Sequence, residues 1–380
     1  MNKEYYINNM KKAIISGSFD PITIGHLDLI VRTSQLFDEV YVAVGDNPDK
    51  SYVFSIDDRV EFIVNSTYSL KNVIVIPFDG LLAEFAYNND IQYIVRGIRN
   101  ANDLQYENTL SIINSKLKNI ETIYLPTKPQ LQHISSSAVK SIAKEFGNIE
   151  GYTTLMVKSK LEYQTWNKTI LCLVGISGSG KSMIGNKISE FSDEITFVNM
   201  DKLGHRIYES HEPYAIKIKN QITSYFGYGI LNEDGSINRK VLGSIVFNDK
   251  TALNLLDTIM MPAIRHLVYE IIRNTNTEYI IFEGAIIPEN GFLPLFNNQV
   301  VLITCNESDA MQRAADRDGL PLDAIKSRYA SQGSTDQKRL IIQQSIINEN
   351  YGTLIEFNSD DGLIDDKLEE LWEKIQKISK

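Results

Sequence analysis

Short apolar runs bounded by turn residues alternate with longer stretches of helical apolar spacing along the first part of the chain. Ala13–Ser16, Val40–Val44, Val73–Pro77, Tyr93–Val95 and Thr122–Leu125 read as strands, and segments such as Leu27–Val31 and Ala138–Phe146 read as helices between and after them. Strict alternation of this kind predicts a parallel, doubly wound sheet whose ligands gather at the carboxyl ends of the strands. Thr153–Trp166 is helix-like and polar, and Gln164–Lys168 carries no strong pattern. A second series then opens with the strand Thr169–Val174, a helix over Met183–Phe191 and a strand ending at Phe197–Asp201. The expectation is α/β throughout, in two doubly wound parallel-sheet domains over residues 1–163 and 168–380.

Length and composition fit that division. A chain of 380 residues is long for one compact domain, and 43% apolar with 23% charged residues supports real cores. A net charge of −10 argues against nucleic acid as the main partner. Cys172 and Cys305 both lie in apolar, strand-like runs and read as core thiols of a reducing compartment. The opening residues Met1–Tyr6 do not read as a signal peptide, and no apolar run approaches a membrane span. A cytoplasmic protein with no membrane partner is expected.

Candidate chemistry begins at Gly17–His26, G-S-F-D-P-I-T-I-G-H, between a strand and a helix. Gly17 and Gly25 allow the backbone close to a ligand, Pro21 sets the turn, and His26 falls in the first helical turn. Free N–H groups and the positive dipole end make that position attractive to phosphate. A tight turn with a surface histidine is the alternative. Lys50, after the second strand, brings an ammonium to a strand end, where a solvated loop lysine is the plain reading. Arg96-Gly97-Ile98-Arg99 sets two guanidiniums about a glycine at another strand end, suited to a bidentate grip on polyphosphate. Ser135-Ser136-Ser137 opens a helix, where serines are also frequent as caps.

These motifs resemble a known family. G-x-F-D-P-x-x-x-G-H looks like the signature of nucleotidyltransferases that move AMP from ATP to a phosphate acceptor. From about Lys12 to Val157 the chain is similar to bacterial phosphopantetheine adenylyltransferase, the more specific part being Arg96–Glu107, which matches R-G-[LI]-R-x-x-x-D-[FL]-x-Y-E. The resemblance implies a Rossmann-like domain in which Gly17, Ser18, Phe19, His26, Gly97, Arg99, Glu107 and Ser135–Ser137 hold ATP. It implies that Ser18, Lys50, Leu81, Leu82, Arg96 and Asn114 meet 4′-phosphopantetheine, with His26, Lys50 and Arg96 catalytic. In-line attack of one phosphate on another needs no protein nucleophile, so the site must hold two anions and offset charge. His26, Lys50, Arg96 and Arg99 are expected as the positive partners.

Gly175-Ile176-Ser177-Gly178-Ser179-Gly180-Lys181-Ser182 is a complete Walker A sequence in the strand–loop–helix setting it requires. Gly178, Ser179, Gly180 and Met183 belong to the loop and helix start, Lys181 reaches the β- and γ-phosphates, and Ser182 holds Mg²⁺ accompanying ATP. From Thr169 onward the chain resembles dephospho-CoA kinase, a P-loop kinase with a helical lid. The block Ile230–Leu242 matches I-L-x-x-D-G-x-[IL]-[ND]-R-x-x-L and runs on to Val246-Phe247. By that resemblance Asp201 handles the acceptor hydroxyl, Arg313 and Arg317 are lid arginines, Arg328 and Gln332 continue the lid, and Asn350 lies near the adenine. A helix-capping role is the alternative for Asp201. Departures from the family pattern at Asn199, His205, Met261 and Glu283 fall, by expectation, on the acceptor side.

The two resemblances together imply the last two steps of coenzyme A synthesis, with ATP, 4′-phosphopantetheine, dephospho-CoA and CoA as small-molecule partners and a homo-oligomer through the first domain. The alternatives are a P-loop kinase with a changed acceptor behind an intact adenylyltransferase, a nicotinamide mononucleotide adenylyltransferase joined to a ribosylnicotinamide kinase, and a sensor of CoA level with a degenerate second domain. Retention of Lys181, Ser182 and Asp201 speaks against the sensor.

Overall fold

A computed structural model of the chain describes residues 10–46, 50–246, 249–361 and 365–378, apart from the side chains of residues 250, 327, 328, 330, 331 and 361. The chain forms two compact units, Met1–Glu145 with Ile149–Thr165, and Phe146–Asn148 with Trp166–Lys380.

The first unit runs β1 (Lys12–Gly17), α1 (Ile24–Ser34), β2 (Glu39–Gly45), α2 (Ile56–Ser66), β3 (Val73–Phe78), α3 (Leu82–Asn88), β4 (Tyr93–Ile98), α4 (Ala101–Lys118), β5 (Glu121–Pro126), α5 (Ser136–Lys144) and α6 (Leu155–Trp166). Its strands lie in the order β3-β2-β1-β4-β5 and all neighbours are parallel. Ile14, Ala43 and Ile94, from three adjacent strands, share an apolar cluster with Ala83, Ala86 and Ile91. The helix expected over Ala138–Phe146 starts at Ser136, where Ser135 accepts the Ala138 N–H, and stops at Lys144. Phe146, which belongs to the second unit, leaves in the left-handed region and stacks on Trp166 of the same unit with ring centroids 5.1 Å apart. Burial of that aromatic pair outweighs one more helical residue.

The second unit runs β6 (Thr169–Val174), α7 (Lys181–Ser189), β7 (Ile195–Asn199), α8 (Met200–Glu209), α9 (Pro213–Phe226), α10 (Arg239–Val246), α11 (Lys250–Asn274), β8 (Tyr279–Glu283), β9 (Gln299–Thr304), α12 (Glu307–Asp318), α13 (Leu322–Gln332), α14 (Thr335–Glu349), β10 (Thr353–Asn358) and α15 (Asp365–Gln376). The order β10-β9-β6-β8-β7 is again parallel throughout. Ile170, Cys172, Val174, Phe282 and Leu302 pack on one face, and Leu171, Leu173, Ile281 and Val301 on the other. A parallel sheet covered on both faces reads as a continuous apolar run for this reason. Each fully buried side chain of this size contributes about 1.5–3 kcal/mol. Cys172 is a core thiol, its pKa pushed up by burial. Among the described residues no helix is long and apolar enough to cross a membrane.

Candidate active sites

β1 and β4 are neighbours at the centre of the first sheet, and the connections that follow them diverge. A crevice at such a switch point is where doubly wound sheets bind ligands. A cavity of about 640 Å³ opens there. Thr23 caps α1, and His26, the third residue of the helix, completes a capping box with it. His26 Nδ1 accepts the Thr23 backbone N–H at 3.1 Å, so the neutral ring carries its proton on Nε2. Burial, with the Arg99 charge second, lowers the His26 pKa to about 4. At neutral pH His26 is therefore a neutral N–H donor, which corrects the expectation that it is one of the positive partners.

Each arginine of the grip is oriented by a carboxylate from α4. Arg96 donates to the Ser16 carbonyl at 2.8 Å and pairs with Glu107 at 3.2 Å. Arg99 pairs with Asp103 at 2.8 Å. Both guanidiniums keep further donors for a ligand. Two buried charges tie down the segment after β2. Asp20 accepts from the backbone of Val53 and Phe54 and from Lys140 at 2.7 Å. Arg59, 1% exposed, donates to the carbonyls of Ser18 and Gly45 at 2.9 Å, pairs with Asp46 at 3.1 Å and stacks on Tyr52. Together they brace the signature turn against the loop that carries Lys50, which stands exposed in the cavity wall.

In the second unit β6 lies between β9 and β8, and the P-loop leaves its end. Gly178 has φ +75°, and a Cβ there would strike the carbonyl oxygen of Ala310 on α12. Only glycine lets the loop pass so close to that helix. Lys181 opens α7; its buried ammonium donates to the Ile176 carbonyl at 2.8 Å. Burial lowers its pKa to about 8, against the raising effects of Glu283 and Asp201. Ser182 Oγ lies 3.0 Å from Glu283, and Asn199 Nδ2 donates to the same carboxylate at 2.6 Å. Asn199 and Glu283 are register partners across β7 and β8, so their meeting follows from strand pairing. A hydroxyl beside a buried carboxylate is a hard-oxygen pair that fits Mg²⁺. Above it α12 brings Arg317 within 3.3 Å of Ser177 Oγ, and Arg313 pairs with Asp360 at 3.5 Å. A second cavity of about 520 Å³ is lined by Asp201, His205, Tyr208, Arg239 and Ile287 among others.

Residues 14–142 match the cytidylyltransferase-like family model, and residues 169–354 match the dephospho-CoA kinase model. The chain is 42% identical over 156 residues to phosphopantetheine adenylyltransferase of Oenococcus oeni, spanning 41% of this chain and 99% of that protein. It is 46% identical over 143 residues to the Clostridium botulinum Alaska E43 enzyme of the same name, spanning 37% of this chain and 90% of that protein. The chain belongs to the phosphopantetheine adenylyltransferase family. Joined to that domain is a dephospho-CoA kinase domain. A solved dephospho-CoA kinase from Campylobacter jejuni is 25% identical, covering 55% of this chain and 96% of its own, with a TM-score of 0.34.

In the adenylyltransferase domain the cavity brings together Gly17, Ser18, Phe19, His26, Lys50, Arg96, Gly97, Arg99, Glu107 and Ser135–Ser137. Leu81, Leu82 and Asn114 are not in its lining: Leu81 is exposed at the start of α3, Leu82 packs on the apolar cluster, and Asn114 stands half-exposed on α4. Of the serines, Ser135 caps α5 and Ser136 donates to the Pro21 carbonyl. Asn47, Pro48 and Asp49 lie outside the described residues. Sequence reasoning missed Arg59 and gave Asp20 no role of its own, since their partners are distant in the chain.

In the kinase domain Asp201 lies inside the first turn of α8, not at the end of β7; the Asn199 side chain caps that helix by accepting the Lys202 N–H. The cap is thus Asn199, and the Asp201 side chain carries no hydrogen bond or ion pair among the described residues. The four departures do not share one side. His205 lines the second cavity, Met261 packs against the core, and Asn199 with Glu283 stands at Ser182. Glu283 is therefore the departure whose place the sequence most fully hid: β8 sits beside β6 and brings its last side chain to Ser182. Gly178–Gly180 lie in the loop, Lys181 and Ser182 open α7 and Met183 is half-exposed on it, while Asn350 ends α14 in the left-handed region and lines neither cavity. Phe247 and the Arg328 side chain lie outside the described residues.

Proposed function

We infer that the chain carries the last two reactions of coenzyme A synthesis in series. In the first, an oxygen of 4′-phosphopantetheine attacks the α-phosphorus of ATP; the new P–O bond gives dephospho-CoA, and pyrophosphate leaves with the electron pair of the broken bond. The observation that carries this is the meeting of the His26 Nε2–H, Arg96, Arg99, Lys50 and the serine turn in one cavity at a switch point. A neutral donor there hydrogen-bonds an oxygen that gains charge in the transition state. Arg96 and Arg99, held by Glu107 and Asp103, keep their orientation while the charge shifts.

In the second reaction the 3′-hydroxyl of dephospho-CoA attacks the γ-phosphorus of a further ATP, giving CoA and ADP. Asp201, which lines the second cavity with its side chain unpaired among the described residues, receives the hydroxyl proton, and Lys181 meets the β- and γ-phosphates. Ser182 Oγ and Glu283 would hold Mg²⁺ brought with ATP, which neutralises phosphate charge when bound. The rival nicotinamide and sensor readings are not favoured by the family matches.

Self-association through the first domain is supported by α4, which buries no side chain and exposes Leu104, Ile112, Ile113 and Leu117. The free thiols of Cys172 and Cys305 support a cytoplasmic location. The direct test supplies purified protein with 4′-phosphopantetheine and ATP and identifies products by mass. Dephospho-CoA followed by CoA is expected; absence of dephospho-CoA overturns the first assignment, and its accumulation without CoA overturns the second.

A further inference from the structure

Lys338, in the first turn of α14, is fully buried and is not part of the phosphate grip. Its ammonium donates to the Ala285 carbonyl at 2.6 Å, to Glu289 Oε1 at 2.6 Å and to the Gln332 carbonyl at 2.8 Å. Every proton of the ammonium thus has an acceptor. Those acceptors come from two other segments. Ala285 and Glu289 stand on the loop after β8; Gln332 is the last residue of α13.

Both segments reach the substrates' ground. Two residues before Ala285, Glu283 bonds Ser182, and Gly284, Ile286, Ile287 and Asn290 from the same loop line the second cavity. On the other side Tyr329 of α13 donates to the Ser177 carbonyl in the P-loop. The knot is tightly built, because a Cβ on Gly333 would come within 3.2 Å of both Glu289 and Gln337. Among the described residues, two further acceptors there, Glu289 Oε2 and Gln332 Oε1, are buried with no hydrogen-bond partner.

We propose that Lys338 is a positioning residue that couples the nucleotide lid to the acceptor pocket, passing a displacement of α13 on ATP binding to residues 285–290. The inference rests on reading the second cavity as the acceptor's. A buried cation shared by two segments resists independent motion of either, since separating them would strand a charge in the interior. Coupling of this kind is reciprocal: ATP must tighten acceptor binding by the factor by which the acceptor tightens ATP.

The test uses the full-length protein and calorimetric titration of a non-hydrolysable ATP analogue and of dephospho-CoA, each alone and with the other saturating. In the wild type each ligand is expected to tighten the other by about tenfold, within the usual range for coupled sites. Lys338→Met combined with Glu289→Leu removes both charges together and keeps the site filled. That variant is expected to bind each ligand alone within about threefold of wild type while the mutual factor falls to about one. A folded double variant with undiminished coupling, or a wild type with none, overturns the proposal. Hydrogen exchange on the wild type with the ATP analogue alone needs neither a variant nor an acceptor. Protection of residues 285–290 together with α13 supports the link, and protection of α13 alone overturns it. Protection of 285–290 in a protein that does not bind dephospho-CoA would keep the link and discard the acceptor's identity.

Discussion

On the proposed reading, the two units hold phosphate in opposite ways. The first builds its grip from side chains of separate loops: a neutral His26, arginines steered by Glu107 and Asp103, and a lysine on a braced loop. The second wraps phosphate in one contiguous backbone loop with a single buried lysine. A side-chain grip spreads its charge over many residues and depends on the carboxylates that aim them. A backbone grip depends on glycine geometry and on one ammonium. The first should therefore fail by degrees, the second all at once.

The sharpest way to break that contrast is Lys181→Ala. CoA formation should fall by at least about 10³-fold, while dephospho-CoA forms at the wild-type rate and accumulates. Following both intermediates in one reaction mixture checks this, and loss of the first reaction as well would mean that the units are not independent. Asp201→Asn should give the same accumulation, with binding of an ATP analogue nearly unchanged, because it removes a proton acceptor and no phosphate contact.

His26→Ala comes next. One donor lost from a transition-state site costs about 10²–10³ in rate. Its protonation should be silent between pH 6 and 8. With a folded pKa of about 4 against 6.5 unfolded, the ring is neutral across that range. The first reaction should decline only as pH drops toward 4. Over the same descent from 6.5 the unfolded chain binds the proton more readily, so His26 also makes the fold less stable. A pH–rate profile with an inflection near 6.5 that disappears in His26→Ala would contradict the neutral assignment.

Glu107→Gln should be milder, raising KM for ATP in the first reaction by about tenfold with the fold intact, since the pair is partly exposed and Arg96 keeps its bond to the Ser16 carbonyl. Steady-state kinetics separates this from a loss of kcat. The smallest effect belongs to pH at the second site. Burial leaves Lys181 with a pKa of about 8, so its charge fades as pH rises through that value. kcat/KM for ATP in CoA formation should fall a few-fold between pH 7.5 and 9, with no matching change in the first reaction.

The alternation of strands and helices, the turn Gly17–His26 and the loop Gly175–Ser182 were legible because each is contiguous. A glycine, a cap and a helix start act on the backbone beside them, so local order carries the chemistry. Arg96 and Arg99 were legible for the same reason, on either side of one strand end. The sequence by itself therefore determined that the chain has two doubly wound halves and which turn in each joins a central strand to a helix start. What it could not carry is any relation between residues far apart. Glu283 reads as a departure until β8 is paired with β6 and β7, whereupon it stands on Ser182. Asp20, Arg59 and Lys338 look like ordinary surface charges until burial and their backbone partners appear. His26 looks like a cation until the cavity removes its water. Strand order, register and the dielectric around a group are properties of the packed molecule, and only the tertiary structure decided them.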